Sequence, residues 1–283
     1  MRGESMKRIA ALTALVWAIA GSAYAETSLE RGSYLVNTIM TCGNCHSPKG
    51  PPAVVAGKDF SGGLRFNEPP FDVTASNITS DKETGIGNWS AADIKRLLQQ
   101  NVRPNGTPIV VMPTGFYGIL LPSDLDAIVA YVQSIKPVKN KVPDPIYKKP
   151  VQHQTFPGAE KPIKAGDLND KIARGFYLAT IGHCMECHTP MVKGAQDFAN
   201  AMGAGGREFP GPWDVSTSRN ITSSKTNGIG AWTDAEIKRA ITQGIDKDGN
   251  KLKGPMGFAY YAHMTDQDLD AVIAWLRTVP AKD

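Results

Sequence analysis

The 283-residue sequence has few cysteines and histidines, with four of the first and five of the second. It also lacks a strong excess of charge, because 31 basic and 27 acidic side chains give a formal net charge of +4. No basic patch interleaved with aromatic residues is present, which argues against a nucleic-acid-binding protein. After residue 25 no apolar run approaches the length of a membrane span, so we expect no transmembrane anchor. These absences predict a soluble protein that does not bind nucleic acid.

All four cysteines lie in two copies of one pentapeptide, at residues 42–46 and 184–188. Its pattern, Cys-x-x-Cys-His, is the attachment motif of a c-type haem. Two cysteine sulfurs one helical turn apart bond to the porphyrin vinyl groups, and the histidine binds the iron as proximal ligand. The sequence therefore predicts two covalently bound haem c groups. The residues predicted to attach them are Cys42, Cys45 and His46 in the first copy, and Cys184, Cys187 and His188 in the second.

Three other chemistries use paired cysteines, and each fits this sequence less well. A four-cysteine zinc site needs its two Cys-x-x-Cys pairs about 15–20 residues apart, whereas these pairs are a whole domain apart. A thioredoxin-like dithiol would lie in a βαβ pattern, which surrounds neither copy. Structural disulfides remain an alternative for an exported protein, but they give the two histidines no role.

Few residues of the first half could serve as the distal ligand, which binds the iron on the face opposite the histidine. Between His46 and residue 137 the sequence has one methionine, Met112, and no histidine. The internal repeat described below places Met112 on Met256. A thioether is a soft, neutral ligand that suits iron in an electron carrier. We therefore predict His46 and Met112 as the ligands of one iron, and His188 and Met256 as the ligands of the other.

The second half offers further candidates for the distal position, namely Met191, Met202, His263 and Met264. His263 and Met264 align with Ile119 and Leu120 in the first half, which cannot bind iron. We therefore favour Met256 as the distal ligand of the second iron.

The proximal histidines also need a hydrogen-bond acceptor for Nδ1. Pro48 and Pro190 each lie two residues after the histidine, where a backbone carbonyl would serve. We attribute the recurrence of Asn77-Ile78-Thr79 as Asn220-Ile221-Thr222 to duplication alone.

The pentapeptides belong to an internal repeat with an offset of 142–144 residues, in which Arg31-Gly32-Ser33-Tyr34-Leu35 returns as Arg174-Gly175-Phe176-Tyr177-Leu178. A repeat this long indicates a duplicated domain. The predicted parts are a signal peptide at 1–25, a first cytochrome c domain at 26–137, a connecting segment at 138–165 and a second cytochrome c domain at 166–283.

The first 25 residues have the pattern of a cleavable signal peptide. Lys7 and Arg8 precede a short apolar stretch, and Ala23-Tyr24-Ala25 is an A-x-A cleavage site. The sequence therefore predicts export to the periplasm, with the mature protein either free there or peripheral at the inner membrane.

The connecting segment is rich in proline and should be extended and semi-rigid. It carries six lysines against Asp144 and Glu160. These lysines either form a solvated linker, or neutralise haem propionates or steer an acidic redox partner. Both interpretations stay open.

Helix signals recur in the two halves. Ser90 with Asp93, and Thr233 with Glu236, have the spacing of a capping box. Apolar residues at helical spacing mark a last helix in each half, and another helix should precede each pentapeptide.

Between these helices, the stretches 47–88 and 189–231 are rich in Gly, Pro, Ser and Asn and are expected to be loops. Loops this long are unusual unless they wrap something, and a haem would supply the missing core. In each half the sequence therefore predicts helices and long loops wrapped around one covalent haem.

The order of these motifs resembles that in the cytochrome c subunits of bacterial membrane-associated dehydrogenases. The shared motifs are Cys-x-x-Cys-His, Asn-Ile-Thr with Gly-Ile-Gly-x-Trp, a helix, a methionine and a helix containing Asp-Leu-Asp-Ala. The chain is similar to the subunits of alcohol, gluconate and sorbitol dehydrogenases, and of molybdenum hydroxylases of the nicotinate dehydrogenase type. Many such subunits carry three haem modules, whereas two are recognisable here. The resemblance implies an all-α fold of two tandem cytochrome c-like domains, which pass electrons towards the respiratory chain.

We therefore expect an electron-transfer protein rather than an enzyme. It would relay single electrons from the catalytic subunit of a dehydrogenase to a downstream cytochrome, oxidase or quinone-linked acceptor. The alternative is a dihaem redox enzyme of the cytochrome c peroxidase or thiosulfate-oxidising kind. A peroxidase needs one iron that opens a coordination site, and a thiosulfate-oxidising enzyme needs a cysteine ligand. The matched methionines and the committed cysteines argue against both.

Overall fold

A computed structural model describes residues 26–49, 55–109, 111–150, 153–211 and 213–283. The predicted signal peptide lies outside the described residues. Helices predominate in the described parts, and they follow a matching order in the two halves. Within those parts, no helix is both long and apolar enough to cross a membrane.

The first half begins with two helices and a hairpin and ends with two longer helices. Its elements are α1 (Ser28–Tyr34), which continues as a π-helical turn (Leu35–Ile39), α2 (Cys42–His46), β1 (Arg65–Glu68), β2 (Phe71–Thr74), α3 (Ala91–Gln100), a 3₁₀ turn (Thr114–Phe116) and α4 (Pro122–Ser134).

The connecting segment contributes β3 (Ile146–Tyr147), and a 3₁₀ turn (Ala165–Asn169) leads into the second half. The elements that follow are α5 (Lys171–Ile181), α6 (Cys184–His188), β4 (Met191–Val192), β5 (Ala195–Gln196), α7 (Phe198–Ala201), β6 (Glu208–Gly211), β7 (Asp214–Thr217), α8 (Asp234–Gln243), α9 (Phe258–Tyr261) and α10 (Asp266–Leu276).

The predicted capping boxes are confirmed at the start of α3 and α8. The Ser90 hydroxyl accepts from the Asp93 amide at 3.1 Å, and the Asp93 carboxylate accepts from the Ser90 amide at 3.0 Å. Thr233 and Glu236 form the same pair of bonds at 3.2 and 2.7 Å. Each box satisfies amides that have no partner within the helix.

The all-α prediction is wrong in one respect, because the regions expected to be loops contain short antiparallel strands. Strand β1 pairs with β2, β4 with β5, and β6 with β7. The strands are only two to four residues long and mostly exposed. Such short segments carry too few alternating residues for period-2 hydrophobicity to be recognised.

The first and last helices of each half cross at a glycine. In the first half Gly32 of α1 faces α4, where a Cβ atom would overlap the Ala127 carbonyl and approach Tyr131 Cβ to 2.8 Å. In the second half a Cβ on Gly175 would overlap the Ala271 carbonyl in the same way. The repeated Arg-Gly dipeptide therefore marks the closest helix contact in each half.

Replacing Gly32 or Gly175 with alanine should destabilise the protein by about 2–3 kcal/mol, because the added methyl group cannot fit without separating the helices. Helix propensity alone would favour alanine by about 1 kcal/mol, so the sign of the change is diagnostic. Urea unfolding measures the effect. Gly166→Ala is the control, because its Cβ would meet no atom within 4 Å. If Gly32→Ala changes the free energy of unfolding no more than Gly166→Ala does, or stabilises the protein, this packing is contradicted.

The connecting segment packs against both halves. Strand β3 extends the first hairpin, with Tyr147 opposite Phe71. Further along, Phe156 is 1% exposed and stacks on Phe116 of the first half, with ring centroids 5.1 Å apart. Its ring also meets Phe198 of the second half edge-on at 5.1 Å. Phe156 and Ala159 of this segment therefore contribute to the core between the halves, while most of its other described residues are exposed.

A buried aspartate in α4 also joins the halves. The Asp124 carboxylate accepts two hydrogen bonds from the Arg31 guanidinium of its own half, at 2.9 and 2.8 Å. It accepts a third from the Tyr177 phenol of the other half, at 2.6 Å. The Asp124 side chain is 6% exposed.

The second half repeats this arrangement in reverse. Asp268 in α10 accepts from Arg174 of its own half at 2.6 Å and from the Tyr34 phenol of the first half at 2.6 Å. Burial and the Asp268 hydrogen bond raise the pKa of Tyr34 to about 12, so the phenol stays protonated as a donor. The matched pairs relate the two halves by a local two-fold arrangement.

Candidate haem-attachment sites

Each pentapeptide forms a helix of a single turn that follows a sharp reversal of the chain. The residue before each helix is left-handed, with φ of 49° at Thr41 and 45° at His183. Helix α2 then spans Cys42–His46, and α6 spans Cys184–His188. Residues three apart on a helix lie on one face, so each turn places its two cysteines side by side with the histidine following.

All four cysteines lie in described residues and are unpaired, so no disulfide forms among them. Burial raises the pKa of Cys42 and Cys187 to about 12, and that of Cys45 and Cys184 to about 11. Within the described residues, no three His, Cys, Asp or Glu side chains come together as metal ligands. The structure therefore forms neither the disulfide nor the four-cysteine zinc alternative.

The two histidines are held in the same way. Nδ1 of His46 lies 2.7 Å from the Ser76 carbonyl oxygen, and Nδ1 of His188 lies 2.7 Å from that of Arg219. Because a carbonyl only accepts, Nδ1 carries the hydrogen and Nε2 keeps the lone pair that binds a metal. Burial lowers the pKa of both imidazoles, which favours this neutral form.

The acceptors correct the sequence prediction. Neither Pro48 nor Pro190 provides the carbonyl that faces Nδ1; Ser76 and Arg219 provide it. These residues are distant in sequence from the pentapeptides, so a search near the motif could not find them.

The repeated Asn-Ile-Thr motif explains how these carbonyls are held. Asn77 follows Ser76, and its Oδ1 accepts from the Thr79 amide at 2.9 Å and the Thr79 hydroxyl at 2.7 Å. Asn220 follows Arg219 and makes the same bonds to Thr222, at 2.9 and 2.6 Å. The motif thus forms a hydrogen-bonded turn beside each pentapeptide histidine. Its exact repetition was the signal for this role.

The two predicted distal methionines occupy equivalent backbone positions. The Met112 carbonyl accepts from the Thr114 amide at 2.8 Å, and the Met256 carbonyl accepts from the Phe258 amide at 3.0 Å. The residue after each methionine has similar torsions, with φ −76° and ψ 47° at Pro113, and φ −84° and ψ 53° at Gly257. Each methionine therefore lies two residues before a short helical segment, a 3₁₀ turn in the first half and α9 in the second, and its ligation of iron stays a prediction.

The competing residues of the second half differ in exposure. Met191 and His263 are exposed, whereas Met202 and Met264 pack against the hydrophobic core, as Met112 also does.

A tyrosine is buried near each cysteine pair. Tyr117 is 2% exposed, and burial raises its pKa well above the usual value for a phenol, with the nearby Cys42 adding to the effect. Burial raises the pKa of Tyr261 in the same way, with Cys184 and Cys187 nearby. Both phenols therefore stay protonated beside the attachment helices.

These residues fit a covalent haem in each half. Each attachment helix supplies two unpaired thiols on one turn, followed by a neutral imidazole whose Nδ1 is fixed and whose Nε2 is free to bind iron. The loops that follow each helix return a backbone carbonyl to the imidazole, as haem-binding histidines require.

Comparison with known proteins agrees with this geometry. Residues 172–280 match the cytochrome c family. The chain is 28% identical, over 298 residues, to the cytochrome c subunit of the quinone alcohol dehydrogenase from Gluconobacter oxydans, covering 97% of this chain and 60% of that subunit. It is 28% identical over 305 residues to the gluconate 2-dehydrogenase cytochrome c subunit of Pantoea cypripedii, covering 98% of this chain and 66% of that subunit.

A third relative is shorter. The diheme cytochrome c-type protein of Cereibacter sphaeroides is 27% identical over 255 residues, covering 85% of this chain and 82% of that protein. This chain spans less than two thirds of each of the two dehydrogenase subunits. The predicted resemblance to cytochrome c subunits is confirmed, and these relatives are cytochromes rather than catalytic subunits.

Proposed function

We propose that this chain, whose second half contains a cytochrome c domain, is a dihaem electron-transfer protein. The observation that carries the proposal is the repetition of one complete attachment site in both halves. Each half has two unpaired thiols on a single helical turn and a histidine fixed through Nδ1 by a distant carbonyl. The two predicted domains would each hold one haem c, and each bound haem iron supplies reversible one-electron transfer.

The residues of the chain hold and orient the two groups. Cys42 with Cys45, and Cys184 with Cys187, would form the thioether bonds. The carbonyls opposite His46 and His188 keep both imidazoles in the tautomer that presents Nε2. Methionine ligands on the other side would leave no coordination position for a substrate, which suits a carrier better than a peroxidase.

The similarity to dehydrogenase subunits supports a proposal for the redox partners. Two of them are cytochrome c subunits of dehydrogenases, so we propose the catalytic subunit of a dehydrogenase as electron donor. The acceptor would be a downstream cytochrome, an oxidase or a quinone-linked component of the respiratory chain. Both partners require a location in the periplasm or at the outer surface of the inner membrane.

The haem count is the direct test. The exported protein should weigh two haems more than its mature polypeptide, and a haem stain should survive denaturation because the bonds are covalent. Replacing Cys42 and Cys45 together with alanine should remove one haem, and replacing Cys184 and Cys187 should remove the other. Mass spectrometry of each purified variant measures this. A wild-type mass equal to the polypeptide alone would refute the proposal.

The ferric spectrum separates the carrier from the dihaem enzyme. A carrier should show low-spin iron and a methionine–iron charge-transfer band from both haems. A high-spin haem that readily binds cyanide or peroxide would instead support the enzyme.

A further inference from the structure

The attachment helix of the first half contacts the segment that carries Met256. The Asn44 amide nitrogen donates to the Pro255 carbonyl oxygen at 3.0 Å. We call residues 255–261 the second methionine segment. The same segment lies close to the chain beside Asn44, since a Cβ atom on Gly43 would be 3.1 Å from the Tyr260 hydroxyl.

The orientation of the Asn44 amide is fixed by its partners. Its Oδ1 accepts from the Lys49 ammonium at 2.7 Å, while its nitrogen faces the Pro255 carbonyl. A carbonyl cannot donate and an ammonium cannot accept, so the reversed amide would lose both bonds. The side chain therefore spans the two halves with both of its polar atoms satisfied.

The turn that follows Met112 in the first half is held differently from the second methionine segment. The residue that corresponds to Asn44 is Glu186, whose carboxylate lies 3.2 Å from His183 Nδ1 within its own half. The turn after Met112 is instead bound by the connecting segment, where the Phe156 amide donates to the Gly115 carbonyl at 3.0 Å. Asn44 therefore donates a hydrogen bond from the first half to the methionine segment of the second half. Among the hydrogen bonds of the described residues, the Glu186 side chain makes no corresponding bond to the turn after Met112.

We propose that Asn44 is a positioning residue that holds the second methionine segment, so that the first attachment helix stabilises the ligation of the second haem by Met256. This inference rests on the proposed function. A thioether is a weaker iron ligand than an imidazole, so the position of its loop decides how easily another ligand displaces it. Asn44 occupies a variable position of Cys-x-x-Cys-His, so its replacement leaves the attachment motif intact.

The test uses Asn44→Asp, which keeps the shape of the side chain but removes the donor to Pro255. Introducing it into a Met112→Ala background assigns the remaining methionine–iron band to the second haem. Imidazole titration should then displace Met256 with a roughly five-fold higher affinity, as expected for the loss of one neutral hydrogen bond. Asn44→Ala should give the same direction of change, and mass spectrometry confirms that both haems are attached.

Asn88→Asp in the same background is the matched control, because the Asn88 amide nitrogen also donates to a backbone carbonyl, that of Lys82 at 2.7 Å, but within the first half. Its imidazole affinity should stay within two-fold of the parent. Equal affinities in Asn44→Asp, Asn44→Ala and the parent would overturn the inference, as would an equal rise in Asn88→Asp. A parent protein with no methionine band would instead refute the proposed ligation by Met256, so the two failures are distinguishable.

Discussion

Replacing either Met112 or Met256 with alanine should abolish half of the methionine–iron charge-transfer intensity and lower one of two reduction potentials. The thioether stabilises the ferrous state relative to harder ligands, so its loss favours ferric iron at that haem. Axial ligands set haem potentials over a range of about 0.8 V, so a change of ligand should be one of the largest single-residue effects in this protein. The ferric spectrum and a spectroelectrochemical titration measure the two effects. The double variant should lose the band entirely.

Met264→Ala is the control for the second half, because Met264 aligns with Leu120 of the first half, which cannot bind iron. It should leave the band and both potentials unchanged. If Met264→Ala removes the band while Met256→Ala preserves it, the assignment of the second distal ligand is wrong. If neither changes the spectrum, neither Met256 nor Met264 binds the second iron.

The helical turns of the two pentapeptides could be predicted from the sequence because their signal is local. A short helical turn with cysteines three apart needs no information from elsewhere in the chain, and α2 and α6 form as the spacing indicates. The carbonyls of Ser76 and Arg219 could not be predicted in this way. A backbone carbonyl has no side-chain signature, and its position depends on how a loop of about 30 residues folds back, as the separation of His46 from Ser76 shows.

The contacts between the two halves also cannot be predicted from sequence patterns. Tyr34 and Tyr177 occupy equivalent positions in the internal repeat. No neighbouring residue in the sequence indicates that each phenol donates to an aspartate in the other half. Phe156 lies in a stretch whose proline content indicates an extended chain, and its burial depends on aromatic rings from both halves. Repeats identify equivalent residues, whereas contacts between the copies arise only when the copies meet.

Replacing Asp124 with alanine should destabilise the protein by about 3–5 kcal/mol, the range measured when one partner of a buried ion pair is removed. The carboxylate is 6% exposed and accepts from both Arg31 and Tyr177. Its loss leaves a guanidinium that is 22% exposed and a buried phenol without their acceptor. Because Tyr177 belongs to the other half, both halves should unfold at lower urea concentration. Each haem reports its own half through its Soret absorbance when the other is removed by cysteine replacement.

The equivalent Asp268→Ala should have the same effect, since its carboxylate is 2% exposed and serves Arg174 and Tyr34. Asp126→Ala is the matched control on the same helix as Asp124, because that side chain is 59% exposed and pairs with Lys95 at the surface. It should change stability by less than about 0.5 kcal/mol. An effect of Asp124→Ala no larger than this would mean that the phenol and guanidinium find other partners. A large effect confined to the first half would mean that the Tyr177 bond contributes little, and that the halves are held together by the aromatic cluster around Phe156.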